Sequence, residues 1–595
     1  MSVVPADPTL AFPPETLRQY ALVADGERGA LIGPRGDIAF LCFPRWHDPA
    51  IFSSLIGGVG HYAVTPVDPR YVWGGHYEPG SLVWRSRWVT GDAVMECREA
   101  LALPAGHDRL VLLRRIEALQ GHARVRVVLD PRPVFGQDAC DLHRLDDSTW
   151  VGEAPGLRVR WQGADDGFRR DGSAVTGEVH VPAGGHHDLV LELSCGPLSS
   201  VAPSADQLWD RTCNAWADDR PRLESSLADT EVAHSYAVLR GMTSASSGMV
   251  AAVTMSLPER ADAGRNYDYR YAWVRDQCYA GQAAAVAGAD RLLDSAVDFV
   301  SARLIEDGPH LKPAYTVDGG RVPDESRLEL PGYPGGHDKV GNWVNEQFQL
   351  DAPGEALLLF ARAVGAGHDD ETTRHGARVA ARVIADRWQQ PEAGIWELDD
   401  AQWTHSKLIC AAGLRAFARA VPGPETQDWP ALADRIVGHT AKHSLHPSGR
   451  WQRTPTDERI DASLLMPAVR GALRADDPRS LATLQAVWEE LCKDGYVFRF
   501  RQGPGRLNDY EGAFLLCGFQ LALAAHRVDD QLGAVRLFER NRAAVGPPGL
   551  FTEEFDVMER QQRGNLPQAF VHALLMESAV TLHGMGTDTR RKENR

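Results

Sequence analysis

RLLDSAVDFVSARLI, residues 291–305, places Leu292, Leu293, Ala296, Val297, Val300 and Leu304 on one face of a 3.6-residue helix. Segments with similar spacing recur near 231–247, 277–288, 343–365, 371–388, 405–421, 429–441, 461–473, 480–493, 511–526, 530–543 and 567–583. Loops rich in Gly, Pro and Asp separate them. About a dozen amphipathic helices without a strong strand signal between them predict a layered ring of paired helices or an α-solenoid. No repeat of fixed length is visible, which favours the ring.

Upstream the period changes to two. In RLVLLRRI (109–116), HARVRVVL (122–129), LRVRW (157–161) and DLVLEL (188–193), apolar and polar residues roughly alternate, as half-buried strands require. Turn-forming clusters such as Pro104-Ala105-Gly106 and Pro182-Ala183-Gly184-Gly185 separate them at short intervals, which suits an antiparallel sandwich rather than βαβ units. The expected organisation is therefore a β-sandwich over 1–203, a helical linker over 204–230 and an all-α domain over 231–595.

The bulk composition excludes several classes. The 595 residues carry 63 Lys plus Arg against 80 Asp plus Glu, a net charge of −17, with no basic block long enough to track phosphates. Nucleic acid and anionic membrane are thus not expected partners. The longest nearly apolar run, 513–525, is broken by Gln520 and falls short of the roughly 20 residues a membrane span needs. MSVVPADPTLAFPPE shows no basic segment followed by an apolar core, so a cytoplasmic location is expected. Nine scattered Cys without CxxC spacing read as reduced thiols, with Cys410 and Cys517 as core fillers. No HExxH, clustered metal ligands or phosphate-binding glycine loop is present, and the His186-His187 pair reads as a polar turn, so no metal or other cofactor is expected.

Sixteen Trp and 13 Tyr, several beside carboxylates, point to sugar. Aromatic faces pack against the C–H surfaces of pyranose rings while acids and Arg bond the hydroxyls. Four stretches concentrate such residues. GRNYDYRYAWVRD (264–276) holds Tyr269, Trp273, Arg275 and Asp276, as sugar ligands or as a structural ion-pair network. GIWE (394–397), followed by WTHSK (403–407), sets Glu397 beside the Trp396 indole, where desolvation would suit a general acid; a surface Glu after a turn fits equally. In NDYEGAF (508–514), Glu511 is expected to open an apolar helix, whose dipole would keep the carboxylate ionised as a general base or simply make it a capping acid. VGNWVNEQFQLD (340–351) mixes amides, acids and aromatics at a helix entry, either lining the same pocket or satisfying backbone ends.

SLPERADAGRNYDYRYAWVRD (256–276), GIWE with THSK, EGAFLLC (511–517) and RGNLPQAF (563–570) occur in this order, after an opening GALIGPRGDIAFLCFPRWHDPAIF (29–52). The chain thereby resembles glycoside hydrolase family 15, the family of glucoamylases, glucodextranases and some bacterial trehalases, over almost its whole length. That resemblance implies a β-sandwich, a helical linker and an (α/α)6 barrel with a pocket at one end. It implies an inverting exo-hydrolase with Glu397 as general acid and Glu511 as general base, and Tyr269, Trp273, Arg275 and Asp276 around the terminal glucose. Trp396 and Lys407 fall in the matching stretches and Trp343 in VGNWVNEQFQLD, and all three are expected to bind substrate.

Departures from the family pattern cluster on the leaving-group side. Asp399 stands where Arg is common, Gly335-Gly336-His337-Asp338-Lys339-Val340 replaces a basic-proline stretch, and bulky Trp343 follows Asn342. The expected substrate is a short α-glucan or α-glucoside, with trehalose as the alternative. A catalytically silent carbohydrate-binding protein and a transferase using the same carboxylates are the competing classes.

Overall fold

A computed structural model describes residues 12–503 and 505–584. Most of the 1–15 stretch read above for a leader lies outside the described residues, as do positions 585–595 of the helical domain.

The N-terminal part consists of antiparallel sheets. An eight-stranded sheet runs in the order Asp141–Arg144, Thr149–Ala154, Leu157–Gln162, His186–Ser194, Arg109–Gln120, Val94–Leu101, Trp84–Val89 and Val72–Tyr77. A four-stranded sheet is ordered Arg169–Asp171, Ala174–Val181, Ala123–Asp130 and His61–Pro66, and a second is ordered Ala21–Ala24, Gly29–Ile32, Ile38–Cys42 and Ala50–Phe52. Leu110, Leu112, Leu189 and Leu191 of the large sheet share a core with Val125, Val127 and Leu129 of the first small one. Val111, Leu113 and Val190 point the other way, into the core that also holds Trp209 and Trp216 of the linker helix. The large sheet is therefore covered on both faces at its centre, which explains the unbroken apolar run at 110–113. His186 and His187 open a strand rather than form the expected turn.

The chain turns helical at α1, Ala205–Asp219. Residues 220–228 are not helical, so only the first part of the expected linker helix forms. Among the described residues twelve more helices follow: α2 (Asp229–Gly241), α3 (Val274–Ala287), α4 (Asp290–Asp307), α5 (Asp351–Gly365), α6 (Glu371–Arg387), α7 (Thr404–Ala420), α8 (Trp429–His443), α9 (Met466–Val469), α10 (Pro478–Leu491), α11 (Leu515–Arg527), α12 (Gln531–Arg542) and α13 (Ala569–His583). Packing is cyclic. Each of α3, α5, α7, α9, α11 and α13 touches the next, and α13 returns to α3; α2, α4, α6, α8, α10 and α12 lie outside them. This is an (α/α)6 barrel.

Sequence explains the two layers. α13, AFVHALLMESAVTLH, is buried along nearly its whole length, as an inner helix must be, whereas α6 carries apolar residues on one face only. Small residues let inner helices approach. A Cβ on Gly413 of α7 would stand 2.4 Å from the Gly354 carbonyl oxygen of α5.

Four expected helices are shorter than their patterns, the first of them, over 231–247, ending at Gly241. Over 343–365 the helix begins only at Asp351, after a 3-10 turn at Val344–Glu346. Over 461–473 a 3-10 turn, Ala462–Leu465, leads into the single turn of α9. Over 511–526 the helix starts at Leu515, because Ala513–Phe514 pairs as a strand with Glu554–Asp556.

Candidate active site

A cavity of about 180 Å³ lies where the inner helices begin. Trp273, Arg275 and Asp276 come from the entry to α3, Trp343 from that of α5, and Trp396 and Glu397 from that of α7. Arg499 and Phe514 precede α11, while Glu553, Gln568 and Phe570 lead into α13. The cavity is thus built by loops on a rigid ring.

Its aromatic wall is the 264–276 stretch. The Tyr267 and Tyr269 rings stack at 6.0 Å, and Tyr269 meets Trp273 edge-on at 5.2 Å. Trp273 is held by the Ala272–Trp273 strand, paired with Ala314–Tyr315. The intervening residues face elsewhere. Arg270, fully buried, forms a two-pronged pair with Asp268 at 2.9 and 2.7 Å and donates to the Asp48 carbonyl of the sandwich at 2.9 Å. Asp268 in turn accepts from the Gly341 N–H at 3.0 Å, fixing the loop that presents Trp343. Extended chain thereby turns one edge to the cavity and the other to the sandwich.

At the polar end, Arg275 Nη1 donates to Gln349 Oε1 at 2.6 Å and to Asp351 Oδ2 at 3.1 Å, and Nη2 stands 3.8 Å from Glu397 Oε1. Asp276 is 2% exposed, and its Oδ1 has no hydrogen-bond partner among the described residues. Burial, with the charge of Glu397 added and Arg275 opposing, pushes its carboxyl up to about 7. A sugar hydroxyl would supply the missing partner.

Glu397 accepts from Trp273 Nε1 at 2.7 Å. Its backbone is left-handed, φ +55°, an unusual state for a residue with a side chain. Trp396 packs edge-on against Phe514 at 5.3 Å and donates its Nε1 to Asp461 Oδ1 at 2.9 Å, which ties the α7 entry to the α9 entry.

Besides Asp276 and Glu397, Glu259 and Glu553 line the cavity, and Glu511 does not. Glu553 lines the wall, accepts from the Tyr269 hydroxyl at 3.2 Å through Oε1, and has no partner for its buried Oε2 among the described residues. Burial and the neighbouring Glu259 push its carboxyl well above the usual range, against the pull of Arg499. Glu511 sits behind the wall, where it accepts from Arg499 Nη2 at 2.5 Å and from Gln502. The helix start expected at Glu511 lies at Leu515, so the helix-dipole reason for making it a base does not hold.

The remaining expected residues divide. Tyr269, Trp273, Arg275, Asp276, Trp343 and Trp396 line the cavity, with Trp343 44% exposed at its edge. Lys407 does not line it. Its Nζ donates to Gln402 Oε1 at 2.6 Å, and burial, opposed by Glu392, pushes its ammonium down to about 8. Arg499, Glu553, Glu259, Arg265 and Tyr279 line the cavity without having been singled out from sequence. Adjacent acids Glu553-Glu554 after Gly549-Leu550-Phe551 were the available signal.

Glu259, Glu511 and Glu554 converge closely enough to suggest a cation site. That cation is Arg499, whose Nη2 lies 3.2, 2.5 and 3.5 Å from the three carboxylates. At His186, Asp188 and Asp206, Arg115 bonds both aspartates at 2.8 and 2.6 Å.

The family model described as "Glycosyl hydrolases family 15" matches residues 232–580. The chain belongs to this family. A second model, "Trehalase-like, N-terminal", matches residues 13–215. Among curated relatives, trehalase from Mycobacterium tuberculosis is 29% identical, with 96% of this chain and 89% of the relative covered. Trehalase 1 from Sulfolobus acidocaldarius is 25% identical over 96% of this chain and 100% of its own length. A crystal structure of a bacterial glucoamylase complexed with acarbose shares the fold at TM-score 0.71 and 13% identity, covering 96% of both chains. The chain is a glycosidase, and its substrate is a carbohydrate. Among the described residues no helix is long and apolar enough to cross a membrane.

Proposed function

We propose that the protein is an inverting, exo-acting α-glucoside hydrolase that cleaves α,α-trehalose, with Glu397 as general acid and Glu553 as general base. The observation that carries the assignment is that these two carboxylates line one cavity from the α7 and α13 entries, whereas Glu511 lies behind its wall, held by Arg499. Trp273 and Arg275 hold Glu397 toward the glycosidic oxygen, and Tyr269 orients Glu553 toward water. In the reaction the acid protonates the leaving oxygen as the C1–O bond breaks. The base takes a proton from the water that forms the new bond on the opposite face, and charge develops on the ring between them. Tyr269, stacked on Tyr267, lies against that developing charge.

Trehalose is preferred over a short α-glucan because the curated relatives aligned end to end are trehalases and the sandwich matches a trehalase-like model. Exposed Trp343 at the cavity edge offers a face for the second glucose.

Proton NMR of fresh hydrolysate tests the whole reading. Inversion of trehalose releases equal amounts of β-glucose, from the attacked ring, and α-glucose, from the departing one. Glu397→Gln and Glu553→Gln should slow release of both by about 10²–10⁴-fold. Only α-glucose at early times refutes inversion; turnover of maltose or isomaltose but not trehalose moves the substrate to short α-glucans.

A further inference from the structure

The loop carrying Glu397 is fastened by a carboxyl group that does not line the cavity. Glu392, 2% exposed, accepts through one oxygen, Oε2, from the Gly394 N–H at 2.8 Å and the Leu350 N–H at 3.1 Å. Gly394 lies inside the acid-bearing loop, and Leu350 immediately precedes α5. The neck of the loop is closed by two backbone bonds between Glu392 and Ala401, both 2.9 Å. Asp351, the first residue of α5, holds Arg275, the guanidinium facing Glu397. One side chain therefore joins the loop of the acid to the helix start that fixes the cation beside it.

Such a clamp has work to do. A non-glycine residue held in a sparsely populated backbone region is strained and persists only where its surroundings over-determine it. Glu397, at φ +55°, is such a residue. Gly394, at φ +71°, packs so closely on the Trp403 indole that a Cβ would stand 2.8 Å from it, so the loop cannot shift toward Trp403.

We propose that Glu392 is a positioning residue for the general acid, locking the 392–401 loop to the start of α5 so that Glu397 is aimed at the leaving-group oxygen. This rests on the reading of Glu397 as the acid. Loss of the clamp leaves the glucose-binding wall in place and displaces only the proton donor, so the defect depends on how much the leaving group needs a proton.

The test compares two substrates with the same glucosyl group on the full-length chain. One is the α-glucoside hydrolysed fastest, whose alcohol must be protonated; the other is α-glucosyl fluoride, whose fluoride departs without a full proton. A misplacement of about 1 Å costs on the order of 10²-fold. Glu392→Ala is expected to lose about that factor in kcat on the glucoside and only a few-fold on the fluoride, while Glu392→Gln, which keeps an acceptor oxygen, restores most of it. If Glu392→Ala does not fold, Glu392→Asp, which shortens the arm, is expected to show the same selective loss. Equal losses on both substrates would mean that Glu392 supports the fold alone, and would overturn the proposal. Glu397→Gln, run alongside, separates the two readings. An unselective loss there removes the acid assignment itself, and the proposal with it.

Discussion

Trp273 Nε1 and Glu397 Oε1 meet at 2.7 Å although 124 positions separate them in the chain. The bond links the aromatic wall of the cavity to the carboxyl group proposed as the proton donor. A hydrogen bond to a neutral carboxyl contributes roughly 0.5–1.5 kcal/mol, so Trp273→Phe, which keeps most of the aromatic surface, should lower kcat by about two- to tenfold. Glu397→Gln should cost about 10²–10⁴-fold on substrates with poor leaving groups. Steady-state rates on the same glucoside check both.

Glu553 and Glu511 should behave differently when neutralised. Glu553→Gln removes the carboxylate beside Tyr269 and should lower kcat by about 10²–10⁴-fold. Glu511→Gln loosens Arg499 instead, and should raise KM with a much smaller loss of kcat. Initial-rate kinetics of the two variants distinguish them, and the opposite ranking would return the base to Glu511.

Acid inactivation should begin at a higher pH than an ordinary glutamate gives. Burial and Glu259 raise the Glu553 carboxyl, and a base works only when ionised. As pH falls through that raised value, Glu553 takes up its proton and kcat/KM drops about tenfold per pH unit. Glu259→Gln removes the like charge and should move this limb to lower pH. Profiles of kcat/KM against pH for both proteins measure the displacement.

Strand alternation at 122–129 and the helical stripe at 291–305 made both architectures legible, because burial on one face leaves its period in the apolar residues. The aromatic loop and Glu397 were legible through local density, since Tyr, Trp, Arg and Asp crowd a few positions. Glu511 and Glu553 were not separable that way: both are acids beside apolar segments near a predicted helix. Their difference lies in Arg499, whose guanidinium gathers Glu511, Glu259 and Glu554, and in the Ala513–Phe514 strand, which delays α11. Both are long-range contacts with no local signature. Lys407 lies off the cavity lining for a related reason, since motif proximity singled it out while its side chain turns to Gln402.

Beneath the cavity, Arg470 and Glu577 form a buried pair, with the second prong at 2.8 Å. Burial opposes ionisation of Glu577, but the charge and hydrogen bonds of Arg470 outweigh it and hold the carboxyl below its usual value. Glu577→Gln strands the guanidinium in the ring and should destabilise the protein by about 3–5 kcal/mol. Denaturant unfolding reads this loss.

The Gly354–Gly413 approach should tolerate no side chain. A methyl at position 413 meets the carbonyl of Gly354 at 2.4 Å, so α5 and α7 must separate. Gly413→Ala should cost about 1–3 kcal/mol, seen as a lower melting temperature.

Arg270 makes the sandwich a support of the cavity wall. It grips backbone carbonyls of the 46–48 turn while its neighbours Tyr269 and Trp273 line the cavity. Genetic lesions in that turn would therefore masquerade as active-site defects, although they arise a domain away. A barrel grafted into another protein without its sandwich would carry a recognition ribbon unmoored along one edge.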